Sequence, residues 1–120
     1  CLAHGLIGTP YDFGIADGIG FWADVGEPAY KLDRMLTHRK LSGRFHRLQG
    51  VIVGKLKDCG PEPEQLDWLL RDTFGSLGIP VIRDLPFGHY GDNLLMPIGA
   101  SVRLSTADGT LTVVESAVQR

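Results

Sequence analysis

A chain of 120 residues, 43% of them hydrophobic, is the size of one ordinary domain and carries enough apolar material for one core. Its net charge of -2 supplies no global basic field of the kind that nucleic acid or an anionic membrane requires. Two cysteines, Cys1 and Cys59, are too few for a disulfide framework and match no zinc spacing; with no apolar run long enough to span a membrane and no secretory leader, the expectation is a soluble protein of the reducing cytoplasm.

The chain opens on Cys1 without an initiator methionine and runs at once into helical spacing. Leu2, Leu6 and Ile7 recur before Gly8-Thr9-Pro10 stop the pattern, which reads as the last turns of a helix that begins upstream in a longer protein. Apolar surface around Leu2, Leu6 and Tyr11 is then expected where a neighbouring domain packs. Asp17-Gly18 turns into GIGFWA, Gly18–Ala23, an apolar run of strand length. Pro28 opens a helix whose stripe is Tyr30, Leu32, Met35 and Leu36, ending near Ser42-Gly43.

GVIVGKL, Gly50–Leu56, is a second buried strand, followed by a polar loop broken by Gly and Pro. From Gln65 helical spacing returns, with Leu66, Leu69, Leu70 and Phe74 on one side and Gly78 as C-cap. IPVIRDLPFG, Ile79–Gly88, is a third short strand. Asn93–Gly99 and Ala100–Ser116 complete the chain as strands, with a hairpin turn at Ala107-Asp108-Gly109. Strands alternating with helices, then antiparallel strands, predict an α/β fold: one compact domain over residues 1–120, a mixed sheet with right-handed β-α-β crossovers followed by antiparallel strands.

His89 stands between Gly88 and Tyr90-Gly91, at the end of the third strand, where glycine lets the backbone turn sharply and approach another group. An imidazole there can serve as a general base, although a structural loop histidine satisfies the same pattern. Asp24 and Glu27 follow the first strand and precede a helix, so capping and the helix dipole account for both without any function. Their interest is that both this loop and the His89 loop follow strands, and ligands of open α/β sheets gather at the C-terminal ends of parallel strands.

Lys31, Arg34, Arg39, Lys40, Arg44 and Arg47, with His38 and His46, form a basic segment that reads as a solvated helix face, with Asp33 and Arg34 in a local ion-pair network. Aromatic interleaving is sparse, since Tyr30 and Phe45 are expected to pack inward, so stacking platforms for nucleic acid are missing. His4, His38, His46 and His89 lie far apart without metal-ligand spacing. No phosphate-cradling glycine loop and no GxSxG elbow occurs. No metal, no cofactor and no hydrolytic nucleophile is therefore expected within the chain.

Taken together, LIGTPY, DVGEPAYKLDRML, GVIVGKLKDC, LGIPVIRDLPFGH and NLLMPIGASVRL, in this order, resemble the C-terminal domain of the LD-carboxypeptidases, the muramoyl-tetrapeptide carboxypeptidases, a family that includes the microcin C resistance peptidases. The resemblance covers nearly the whole chain. It implies a serine peptidase with a Ser-Glu-His triad, cytoplasmic, that removes the terminal D-alanine from peptidoglycan tetrapeptides during cell-wall recycling. The nucleophile and oxyanion hole belong to an N-terminal domain absent from this chain, and the glutamate and histidine to the C-terminal one. The implied partners are that N-terminal domain and a muropeptide or tetrapeptide substrate, with a homodimer as a further option.

The family histidine falls on His89, with the expected role of taking the serine proton and returning it to the leaving amino acid. Where the family pattern reads like LEDxxE, this chain reads WADVGE: Asp24 and Glu27 match the later acidic positions, and Ala23 occupies the place of the triad glutamate. Three explanations stay open. Ala23 is an engineered substitution, or a natural variant in which Asp24 or Glu27 orients the histidine, or the mark of a relative that binds without cutting. Strand alternation turns Asp24 away from the side of residue 23, which makes Glu27 the better substitute.

Overall fold

The apolar runs become strands whose two faces serve different partners, because successive side chains in a strand point to opposite sides. The computed structural model describes residues 2–56, 58–60, 62–89, 91–116 and 118; Cys1 lies outside them. Strands β1 (Ile19–Trp22), β2 (Gly50–Gly54) and β3 (Val81–Leu85) form a parallel sheet in the order β1-β2-β3. Helix α1 (Leu2–Gly5) precedes them, α2 (Ala29–Leu41) joins β1 to β2, and α3 (Pro63–Phe74) with a 3-10 turn at Gly75–Leu77 joins β2 to β3.

Gly20, Val51 and Val81 lie abreast in the sheet, as do Trp22 and Val53. This face meets both helices: Leu32, Met35 and Leu36 of α2 and Leu66, Leu69, Leu70 and Phe74 of α3 enclose Val51 and Val53 in one cluster with Phe45 and Leu48. Two crossovers of the same hand place both helices on one side of the sheet. The other face carries Phe21, Ile52 and Ile82 abreast. The chain after β3 covers it: Leu104 lies over Gly50, and Phe87 meets Phe21 edge-on with ring centroids 5.9 Å apart. Covered on both sides, β2 is buried throughout, which is why it reads as an unbroken apolar run.

Helix α3 begins at Pro63 rather than Gln65, since Glu62 is its N-cap and Gln65 reaches back to accept the Glu62 N–H at 3.2 Å. Gly78 ends the connection in the left-handed conformation expected of a C-cap. β4 (Val102–Ser105) and β5 (Thr110–Val113) pair antiparallel around the predicted turn and form a sheet of their own. Asn93–Gly99, expected as a strand, is irregular. Pro97 has no N–H to give a ladder, and Leu94 N–H is spent on the Pro86 carbonyl at 2.8 Å.

Tyr30 also departs from expectation: it is 71% exposed, while Phe45 is buried as predicted. Leu32, Met35 and Leu36 alone complete the stripe of α2. The predicted apolar surface near the N-terminus is present at Leu2 and Tyr11, both exposed, and Leu6 is half-buried.

Gly54 marks the tightest approach in the sheet. A Cβ there would lie 2.5 Å from the Phe87 carbonyl oxygen and 3.0 Å from its ring. Gly54→Ala should therefore destabilise the protein by about 1–3 kcal/mol, read as a lower urea midpoint at unchanged m value; an unchanged midpoint would show that this contact is not made.

Candidate active site

The His89 loop owes its aim to an irregularity in β3. Ile52 pairs with Ile82 and Gly54 with Leu85, so β3 carries one extra residue beside β2. Asp84, in this stretch, has a φ of 64°, a left-handed conformation that aspartate tolerates better than most side chains. A bulge shifts by one residue which side chains face each side of the sheet. Leu85 is thereby brought level with Gly54, and Phe87 follows into its 3% exposed site against Phe21.

Gly88 comes next, and it meets Ala23, the residue that follows β1. Its φ is 106°, and a Cβ built on it would lie 2.6 Å from the Cβ of Ala23. Both the conformation and the space exclude a side chain at position 88. The structure thus brings together Ala23, at the C-terminal end of β1, and the backbone that immediately precedes His89. His89 itself is exposed, and among the described residues its ring has no hydrogen-bond partner. The loop is closed behind it by Gly88 N–H donating to Asn93 Oδ1 at 2.9 Å and by the Leu94 to Pro86 bond.

Glu27 is not brought to the imidazole. It is buried, and its carboxylate is paired with Lys31 Nζ at 2.9 Å, one helical turn further on; that pair raises the Lys31 pKa. Glu27 also fails to cap α2, whose N-cap is Pro28 without any side-chain bond. Asp24 is buried and accepts the Val25 N–H through Oδ1 at 2.9 Å. The loop carrying both packs on the one after β2: Gly60 N–H donates to the Glu27 carbonyl at 3.0 Å. Burial there pushes the Cys59 thiol up, against the pull of the Glu27 and Gly26 backbone.

The basic segment is largely consumed inside the fold. Arg39 Nη2 donates to the Ala3 carbonyl at 2.5 Å, Arg44 pairs with Asp12 at 2.6 Å, Arg47 pairs with Asp17, and Lys40 Nζ donates to the Asp72 carbonyl at 3.1 Å. Asp33 accepts from Thr37 at 3.4 Å rather than pairing with Arg34. These bonds pin the N-terminal segment over a cavity of about 130 Å³ whose lining includes His4, Phe13, Trp22 and Met35 but none of Ala23, Glu27 or His89. Among the described residues no three His, Cys, Asp or Glu side chains are placed to hold a metal ion. No helix among them is long and apolar enough to cross a membrane.

Residues 1–104 match the family model described as the LD-carboxypeptidase C-terminal domain. The chain belongs to this family. A protein of Synechocystis sp. named a carboxypeptidase is 35% identical over 115 residues, covering 92% of this chain and 38% of its own length. The murein tetrapeptide carboxypeptidase of Pseudomonas aeruginosa is 31% identical over 84 residues, 68% of this chain and 27% of that protein. The crystal structure of muramoyltetrapeptide carboxypeptidase from Oxalobacter formigenes superposes with a TM-score of 0.75 at 27% identity, covering 92% of this chain and 40% of that one. The microcin C7 self immunity protein superposes at 0.84 with 19% identity, covering 96% of this chain and 35% of that one, a likeness of fold. The chain thus spans well under half the length of these relatives.

Within this LD-carboxypeptidase domain, Ala23 and His89 both lie in the matched range, at the C-terminal edge of the parallel sheet. Gly54, Asn93 and the bulge at Asp84 complete the arrangement, and none of them stood out in the sequence. The only sequence signal for Asn93 is its place in GDN, a composition shared with any turn. Gly88→Ala should displace the loop and leave the core standing: hydrogen exchange should rise in residues 86–94 and not in α3, and uniform exchange would contradict the contact with Ala23.

Away from the site, His4 Nε2 lies 3.3 Å from His38 Nδ1. Burial, followed by His38, Arg39 and Arg34, lowers the His4 pKa below 6.5. As pH falls through 6.5 the unfolded chain takes up this proton before the folded one does, so stability is full above that pH and declines below it. Thermal unfolding from pH 8 to 5 should show this decline, and His4→Gln should lessen it; an unchanged slope in the variant would rule out the His4 contribution.

Proposed function

We propose that this chain is the histidine-bearing half of a serine-type LD-carboxypeptidase that releases the terminal D-alanine of murein tetrapeptides. The observation that carries the reading is the contact of position 23 with Gly88, which sets the end of β1 beside the residue that leads into His89. In the family pattern position 23 is the triad glutamate, and in this chain it lies beside Gly88, one residue from His89. His89, exposed at the sheet edge, is free to face a serine carried outside these residues.

On this reading His89 takes the proton of the serine hydroxyl as its oxygen attacks the scissile carbonyl. It returns that proton to the amine of the departing D-alanine, and then activates water to release the acyl group. An orienting carboxylate would hold the imidazole in the reactive tautomer and stabilise its charged form. Ala23 cannot, and Glu27 is held by Lys31. Without a glutamate at position 23 the base keeps part of the rate enhancement and not the whole. Exposed Leu94, Leu95 and Ile98 on the same loop support packing of a further part of the protein beside His89.

A second reading, a peptide-binding relative that does not cut, is favoured by Ala23 in the place of the triad glutamate. One experiment separates the two. In the full-length protein Ala23→Glu should raise D-alanine release from the tetrapeptide by up to about four orders of magnitude, the scale of a mispaired triad histidine, and His89→Gln should abolish the gain. Tetrapeptide binding without release in both the native protein and the Ala23→Glu variant would select the binding reading.

A further inference from the structure

The fold pins Gly88, the residue before His89, from two sides, and one of the two is a side chain with no part in the core. On one side the Ala23 Cβ bars any side chain at Gly88, whose φ is 106°. On the other, Gly88 N–H donates to Asn93 Oδ1 at 2.9 Å. Asn93 is exposed, so its conformation is chosen by this bond and by its own backbone, which the neighbouring Leu94 N–H ties to the Pro86 carbonyl at 2.8 Å. The two bonds tie Gly88 to Asn93 and Pro86 to Leu94, on either side of His89.

We infer that Asn93 is a positioning residue for His89, acting through the Gly88 peptide. The inference rests on the reading of His89 as general base. A glycine peptide has more backbone freedom than any other, and here it directly precedes the residue whose imidazole must meet a serine within hydrogen-bond reach. Contact with Ala23 sets how far the glycine can move inward. The bond to Asn93 fixes the plane of the Phe87–Gly88 peptide, and with the turn at Gly88 held by its contact with Ala23 the two together limit where the His89 backbone starts.

The chemistry of the acceptor matters as well. A carboxylate at position 93 could take the same hydrogen bond, but its charge, next to the loop tip, would favour the protonated imidazole. A general base has to be unprotonated at working pH. A carboxamide oxygen supplies the bond without adding a second charge beside that of Asp92.

The test uses the full-length protein, native and with Ala23→Glu, each carrying Asn93→Ala or Asn93→Asp. Asn93→Ala should accelerate amide exchange at Gly88 by about tenfold, the loss of one hydrogen bond. It should lower kcat for tetrapeptide cleavage by roughly tenfold to a hundredfold through misplacement of the base, with KM and the urea midpoint unchanged. Asn93→Asp should keep Gly88 protected and shift the acidic limb of the pH profile upward. Unchanged Gly88 exchange in Asn93→Ala, or a kcat loss that follows the urea midpoint, would overturn the proposal. If neither background releases D-alanine, the peptidase reading falls, and Gly88 exchange alone then decides whether Asn93 holds the loop.

Discussion

The closeness with which the chain after β3 can approach the ends of β1 and β2 governs the whole sheet edge. Two backbone positions without side chains make the approach possible. Gly54 leaves room for the Phe87 carbonyl and ring, and Gly88 leaves room for Ala23. Phe87 gains burial against Phe21 in return, a contact whose area and edge-on geometry both stabilise it. The bulge in β3 delivers the chain to this notch in the right register. His89 is exposed two residues after the buried Phe87, an arrangement that joins a surface loop to a rigid support.

Charge follows a similar logic of local use. The arginines and lysines of α2 and the turn after it look like a patch in the sequence, yet Arg39, Arg44, Arg47 and Lys40 each reach a carbonyl or carboxylate from another segment. Their effect is to fasten residues 3–17 and the end of α3 onto α2, not to create a field for an anionic partner. Lys31 does the same for Glu27. With that carboxylate committed to Lys31, the proposed triad has position 23 as the place from which an orienting group would come.

Much of the architecture was legible in the sequence because burial dictates it. The stripe of Leu66, Leu69, Leu70 and Phe74 could be nothing but the inner face of a helix, and GVIVG reads as apolar throughout because both its sides are covered. What escaped were features decided by tertiary contacts. Tyr30 has helical spacing with Leu32 and Met35 but lies at the edge of the stripe, in water. Asn93–Gly99 has strand composition but, among the described residues, joins neither sheet. Glu27 looked available to a histidine because the sequence does not say that Lys31, four residues on, takes it first.

The site was legible in the same uneven way. His89 is proposed from its glycine-flanked junction and the family likeness, and Ala23 from its departure from a pattern. Their adjacency could not be read, since it depends on the strand order and on the bulge at Asp84. The most direct test of the account is a crystal structure of the full-length protein with a tetrapeptide bound. The account predicts the His89 ring nitrogen within about 3 Å of a serine hydroxyl at the scissile carbonyl, with Ala23 still against Gly88; a bound peptide with no serine facing His89 would contradict it.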